Sequence, residues 1–372
     1  MKIGSYALVS FLSACLYPTK VTASDGNLFT YDPNSQNGPE YWKDISFDDG
    51  TDNQCGGDRN SPIAVESNAC ETFEDYELTP GTCLVQDFGF VVNNHAEQVN
   101  APTQQVCETN KMKIPGVAGE FEMLQFHIHM NSEHTFDGSH FAAELHVVHS
   151  EVGGDRLAVL GMFFVPTALE SNALVDDLLR GFDAISDETY TACNMTTLPH
   201  WWQDQDQDQD HQAQAADVDQ EAVKPRSGST VTPENPFNVY DLVPKEASMY
   251  YYSGGLTTPP CTEIVEWSVV DKPVEITVAQ YNDLSSLILN YVDPTTCDFA
   301  TVADPNSGST SRPTQPSNGR HVTRICPVGF VEEENVDLDL ESASSGRFSV
   351  PTWSSFHVLT TMFVGGWVAR RF

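Results

Sequence analysis

The sequence predicts a mainly β fold of the α+β class, in one secreted domain carrying a long insertion. From Ser24 to about Trp202, and again from Phe237, short apolar or alternating runs are broken by Gly, Pro, Asn and Asp, as strands and their turns read. Within the first of these stretches only one segment, roughly Ala168 to Ile185, carries a helical period. The third observation is the insertion itself. From Gln203 the chain becomes a Gln-Asp repeat, then Ala- and Gln-rich, then Pro-, Ser- and Thr-rich to about Asn235, a composition that cannot bury enough apolar surface to offset its ordering entropy.

Taken in order, Lys2, the apolar stretch from Ile3 to Leu16 and the small-residue pattern Val21-Thr22-Ala23 read as a secretory signal cut near Ala23, so residues 1–23 are a leader. The domain then runs over 24–335. Losing Cys15 with the leader leaves Cys55, Cys70, Cys83, Cys107, Cys193, Cys261, Cys297 and Cys326, an even set in an oxidising compartment, where disulfides are the expectation. No C-x-x-C pair points to thiolate ligation of a metal. The sequon Asn194-Met195-Thr196 makes Asn194 a candidate glycan acceptor.

Strand-like sequence resumes after the insertion and includes Ile264-Val265-Glu266-Trp267-Ser268-Val269-Val270. Residues 203–235 therefore interrupt a β domain and do not separate two, and surface insertions are tolerated at little entropic cost. After about Phe330 the chain turns acidic, then Ser/Ala-rich at 342–346, and ends in an apolar stretch from Phe356 to Ala369 followed by Arg370-Arg371-Phe372. That apolar stretch, within the tail over 336–372, is short for a membrane span. It reads either as a lipid-anchor attachment signal or as a frayed peripheral segment.

The chain holds 53 acidic against 18 basic residues, a formal net charge of −35. Such an excess repels phosphate backbones, which excludes nucleic acid as a partner. It suits a solvated surface, or divalent cations held loosely on the acidic insertion.

Of the 11 histidines, an unusual concentration lies between His127 and His149. In an extended strand residues two apart share a face, so Gln125, His127 and His129 point one way and Phe126, Ile128 and Met130 the other. The same rule puts Glu144, His146 and Val148 on one face of a second strand, and the stretch between is long enough for the two strands to pair. His127, His129 and His146 can then converge on one metal ion. Three neutral nitrogen ligands leave zinc its full charge and one open position. Gln125 and Glu144 stand on the same faces as acceptors for the second ring nitrogens. Taken singly, each histidine is as well explained as a half-buried polar residue.

Gln125-Phe126-His127-Ile128-His129, Ser132-Glu133-His134 and Glu144-Leu145-His146-Val147-Val148-His149 together resemble the central signature of alpha-class carbonic anhydrases. Asn37-Gly38-Pro39-Glu40-Tyr41-Trp42 resembles the family's N-terminal segment, Asn60-Ser61-Pro62-Ile63 its Gln-Ser-Pro-Ile stretch, and Leu256-Thr257-Thr258-Pro259-Pro260-Cys261 its active-site wall. The resemblance spans roughly Leu28 to Phe330. It implies a large, twisted, mostly antiparallel central sheet with short peripheral helices, and zinc-dependent reversible hydration of carbon dioxide to bicarbonate by zinc-bound hydroxide.

Carried over position by position, the resemblance makes His127, His129 and His146 the zinc ligands and Thr257 the acceptor of a hydrogen bond from the hydroxide. Glu133 becomes the carboxylate that receives the Thr257 proton. Gln125, Glu144 and Tyr252 become supporting residues. Val148, Val159, Leu256, Thr258, Val265 and Trp267 become the substrate pocket, although by type alone the apolar ones are core residues. Asn93-Asn94-His95-Ala96 resembles the shuttle-histidine segment without its usual Gly, which makes His95 the candidate proton carrier. Tyr31 resembles the family's active-site tyrosine, two residues out of place. His134 and His149 match buried hydrogen-bonding positions. Extracellular members commonly join the cysteines that correspond to Cys55 and Cys261. Thr310-Ser311-Arg312-Pro313 departs from the family, which usually has Asn and an aromatic before Arg-Pro.

A zinc protease needs His-Glu-x-x-His and a nucleophile-elbow hydrolase Gly-x-Ser-x-Gly; neither occurs. The competing class is a noncatalytic, mineral- or calcium-binding matrix protein on the same fold. Inactive relatives generally lose a ligand histidine, and all three are present here.

Overall fold

A computed structural model describes residues 28–102, 107–195 and 237–331. The leader, the insertion at 203–235, the tail from 336 and Thr196 of the sequon lie outside the described residues.

The alternating runs form strands β1 (Ala64–Val65), β2 (Thr72–Phe73), β3 (Glu77–Thr79), β4 (Gly89–Val92), β5 (Glu97–Asn100), β6 (Lys111–Lys113) and β7 (Phe121–Met130). They continue as β8 (Thr135–Phe136), β9 (Ala143–Glu151), β10 (Leu157–Val165), β11 (Met249–Gly254), β12 (Val265–Val270), β13 (Val274–Glu275) and β14 (Thr323–Cys326). Among the described residues a 12-stranded sheet runs in the order β2-β14-β11-β12-β10-β9-β7-β5-β4, with β3, β6 and β13 paired beside that path. Most neighbours are antiparallel, as expected; β10 pairs β12 and β13 in parallel, and β14 pairs β2 in parallel. The insertion falls between β10 and β11, so both of its flanks belong to one sheet.

Among the described residues two α-helices pack on the sheet, α1 (Ala173–Ala192) and α2 (Val278–Leu289). The helix expected at 168–185 is displaced toward the C-terminus. Asn172 caps it, its side chain accepting from the Leu174 amide at 3.1 Å, so the residues from Ala168 lead in and do not form the first turn. Its last turns are polar and carry no apolar period, yet they remain helical up to Cys193, which is bonded to Cys297. Helix α2 follows a capping box formed by Thr277 and Gln280.

The long central strands sort their side chains onto two faces. Phe126, Ile128 and Met130 of β7 join one buried cluster with Leu178 and Phe182 of α1 and Leu284 and Ile288 of α2. On the opposite face, Val148, Val159, Val265 and Trp267 form a second cluster, next to the histidines. The sheet is thus a wall, with helices behind it and polar residues of β7 and β9 in front.

Candidate metal centre

Strands β7 and β9 are antiparallel neighbours in a register that sets His127 opposite His146, and strand periodicity puts His129 on the same face. The ring centroids of His127, His129 and His146 lie 4.9, 5.2 and 5.0 Å apart pairwise. One ring nitrogen from each lies within 4.8 Å of the others. His129 and His146 are buried, and His127 is half-buried.

Each ring is fixed by its other nitrogen. His127 Nδ1 contacts Gln125 Oε1 at 2.8 Å, His129 Nδ1 the Thr310 carbonyl at 2.9 Å and His146 Nε2 Glu144 Oε1 at 2.9 Å. The remaining nitrogens are His127 Nε2, His129 Nε2 and His146 Nδ1. Burial lowers the pKa of His127 well below the usual imidazole value, and His129 and His146 beside it add to that. Burial also lowers that of His129, with Glu133 opposing and His146 assisting. Both rings are therefore neutral, the form in which imidazole binds a metal.

The residues fit a zinc-type dication. Two buried polar atoms here make no hydrogen bond, His129 Nε2 and Glu133 Oε2, and the arrangement is nitrogen-only with an acceptor behind every ring. Glu133 Oε2 lies 3.6 Å from His129 Nε2 and 3.9 Å from His146 Nδ1. A second cluster, His134, Glu144 and His146, has its atoms engaged otherwise. Glu144 Oε1 lies 2.7 Å from His134 Nδ1, and His134 Nε2 lies 2.7 Å from Tyr252 Oη, a chain that supports His146. Gly161 stands opposite His146 on β10, where a Cβ would come 2.9 Å from Glu144 Oε1, so only glycine leaves that carboxylate its room.

Thr257 is buried in the loop after β11, which is closed by the Leu256 amide donating to the Thr262 carbonyl at 3.0 Å and the Cys261 amide to that of Thr258 at 2.8 Å. Its hydroxyl makes no hydrogen bond to Glu133, in contrast to the relay that the resemblance implies. Glu133 Oε1 accepts from the Arg312 amide at 3.0 Å, and Oε2 is turned toward His129 and His146. Val148, Val159, Val265 and Trp267 cluster beside the histidines with Leu256 packed against them; Thr258 is half-buried and outside that cluster. The Trp267 ring lies 4.8 Å from that of His146, and its Nε1 donates to the Gly255 carbonyl at 3.0 Å.

His95 occupies the turn between β4 and β5, half-buried, its Nδ1 2.7 Å from Asn94 Oδ1 and its ring 5.6 Å from Phe29. Burial, then His129, pushes its pKa down. Tyr31 is buried beside Trp42, and burial followed by Glu133 raises its phenol well above the usual range. His149 is buried, with Nδ1 3.2 Å from the Ala158 carbonyl and Nε2 2.7 Å from Tyr240 Oη. Asn194 is exposed just after α1.

The structure joins Cys55 to Cys261. It also resolves the pairings that spacing left open: Cys70–Cys326, Cys83–Cys107 and Cys193–Cys297. Sequence reasoning did not single out Gly161 or the guanidinium of Arg312. Their partners stand far away along the chain, and no local pattern marks such contacts.

The model of the family described as eukaryotic-type carbonic anhydrase matches residues 37–208 and 203–326. A carbonic anhydrase of Pectobacterium atrosepticum is 26% identical over 319 residues, covering 85% of this chain and 98% of the relative. Human carbonic anhydrase 12 is 28% identical over 246 residues, 61% of this chain, and this chain spans only 56% of that relative's length. Among solved structures, the alpha-carbonic anhydrase of Thermovibrio ammonificans, in complex with the inhibitor sulfanilamide, superposes with a TM-score of 0.52 at 25% identity, over 80% of this chain and 100% of the other.

Proposed function

The chain belongs to the eukaryotic-type carbonic anhydrase family, and from that membership we propose that it interconverts carbon dioxide and bicarbonate with zinc held by His127, His129 and His146. The observation that supports this is the convergence of three imidazole nitrogens within 4.8 Å, each ring braced from behind by Gln125, Thr310 or Glu144. When bound, zinc supplies the charge that makes water a nucleophile near neutral pH, a property taken from the family and not from this chain.

The protein residues do the rest. The neutral imidazoles leave the cation's charge undiminished, and Gln125, Glu144 and the Thr310 carbonyl hold their tautomers. Val148, Val159, Leu256, Val265 and Trp267 offer an apolar wall for carbon dioxide, and Thr258 is assigned to the pocket from the family resemblance alone. We assign the unpartnered Oε2 of Glu133 as the acceptor for the Thr257 hydroxyl in the working site, a hydrogen bond that the structure does not make. With that proton donated, the Thr257 oxygen can only accept, which orients the attacking water. We keep His95 as the candidate proton carrier on its half-buried place in the turn between β4 and β5; burial, then His129, pushes its pKa down to about 3, which works against proton exchange near neutral pH.

The disulfides of the described residues, with the leader-like 1–23, support passage through the secretory pathway, and exposed Asn194 is available there to a glycan. We take 24–335 as the catalytic domain. Stopped-flow hydration of carbon dioxide tests the activity: the zinc-loaded chain is expected to be fast, and His146→Ala and chelator-treated protein near background. Equal rates in all three would overturn the assignment, and a zinc-loaded chain at background would favour a noncatalytic role for the fold.

A further inference from the structure

The supports of His129, Glu133 and His146 run back to one buried side chain that the proposed reaction does not use. The Thr310 carbonyl accepts from His129 Nδ1 at 2.9 Å, and two residues on the Arg312 amide donates to Glu133 Oε1 at 3.0 Å. The guanidinium of the same arginine, which is 1% exposed, reaches the other way. Its Nη1 donates to the Ser61 carbonyl at 2.7 Å, its Nη2 to the Cys55 carbonyl at 3.0 Å, and its Cζ lies 5.5 Å from the Trp42 ring centroid. Ser61 is also where the other support ends. Its hydroxyl accepts from Tyr252 Oη at 3.0 Å, and Tyr252, His134 and Glu144 lead from there to His146.

Thr310 is itself sewn to β7, its amide donating to the Met130 carbonyl at 2.9 Å and its hydroxyl accepting from the Met130 amide at 3.0 Å. The segment 309–312 is therefore a strap. One end holds a ligand histidine, the other a carboxylate, and the arginine head fastens it to the 55–61 segment. A buried guanidinium carries a large desolvation cost, and where packing alone is required an apolar side chain serves as well or better. Among the described residues no carboxylate comes within ion-pair reach of this one, and its Nε has no partner. The charge is kept where two backbone carbonyls fix its direction.

We propose that the Arg312 guanidinium is a positioning group for the metal centre: by clamping the strap to Ser61 and Cys55 it fixes His129 and Glu133 relative to His146. It touches neither substrate nor metal. The inference rests on the metal-binding reading above and adds to it a residue whose loss alters the geometry of the metal site from outside the ligand set.

The test uses the full chain loaded with cobalt(II) or zinc, as wild type, Arg312→Met, Arg312→Lys and, as a control, Arg324→Met. Arg324 is another mostly buried arginine, over the Tyr250 ring and donating to the Asn68 carbonyl at 2.9 Å, on β14. The readouts are the visible absorption of bound cobalt, the rate at which a chelator removes zinc, and thermal stability. Arg312→Met is expected to alter the cobalt spectrum and release zinc about tenfold faster or more. Arg312→Lys restores part of both, because one ammonium can still reach a carbonyl, and Arg324→Met keeps the wild-type spectrum even where it lowers stability. A wild-type spectrum and zinc release rate in Arg312→Met overturns the inference, as do equal changes in Arg324→Met. Should Arg312→Met not fold, Arg312→Lys decides by the same readouts: partial change supports the clamp and wild-type behaviour overturns it. A wild type that binds neither metal overturns the underlying metal reading as well, whereas normal wild-type binding with an indifferent Arg312 overturns only the clamp.

Discussion

Glu144 concentrates the logic of the site in one side chain. Its Oε2 accepts from the amides of Glu133 and His134 at 2.8 Å each, and its Oε1 faces His134 Nδ1 and His146 Nε2. Burial opposes its ionisation, yet His134 and His146 hold its pKa far below the usual carboxylate range. A neutral amide cannot accept at both positions, so Glu144→Gln leaves either the backbone donors or His146 without an acceptor. Zinc affinity in Glu144→Gln is expected to fall by about 10- to 100-fold, read by chelator competition; unchanged affinity would contradict the support assigned to Glu144. The spacing of His127, His129 and His146 with Gln125 and Glu144 was legible because strand geometry has a period of two and no long-range information is needed. Arg312 and Ser61 each belong to a local motif that says nothing of the other. Their contact joins positions 251 residues apart, which no periodicity encodes.

Among the elements, β5 carries a polar residue on its apolar side. Glu97 pairs in register with Val92 of β4 and Ile128 of β7, which sets its side chain toward the helix-covered face. It is buried, neither carboxylate oxygen has a hydrogen-bond partner, and burial raises its pKa well above the usual value. Burial without a hydrogen-bond partner thus favours the protonated form of Glu97 in the fold. A raised folded-state pKa means that its contribution is fully present below the unfolded value of about 4.3 and is lost as pH rises through the folded value. Relative to wild type, Glu97→Gln is expected to gain thermal stability as pH rises from 4 to 7, by roughly 1.4 kcal/mol per pH unit until the folded pKa is reached. A melting-temperature difference independent of pH would contradict this. The strands were legible from alternation, and α1 was placed too early because Asn172, and not the first apolar residue, sets its start. Helix α2 carries its own start signal in the sequence, the Thr277 and Gln280 capping box just before an apolar run.

Across the whole molecule, long-range cross-links bind one sheet. Cys70–Cys326 closes a separation of 256 residues and ties β2 to β14 at the edge of the sheet, away from the histidines. The double replacement Cys70→Ala with Cys326→Ala is expected to lower unfolding free energy by about 3 to 5 kcal/mol in the chain-entropy view, measured in urea, with zinc content unchanged. Loss of zinc in that folded variant would contradict the separation of edge and site. The even number of cysteines beyond the leader-like segment was readable as a disulfide framework, but three of the pairings depend on which strands the fold makes neighbours. The central claim is that three imidazoles hold one zinc ion, and X-ray absorption at the zinc edge of the purified full-length chain tests it most directly. One zinc per chain with three imidazole nitrogens and an oxygen, all at about 2.0 to 2.1 Å, is the expected result. A sulfur ligand, or a zinc environment that does not change in His129→Ala, would contradict it.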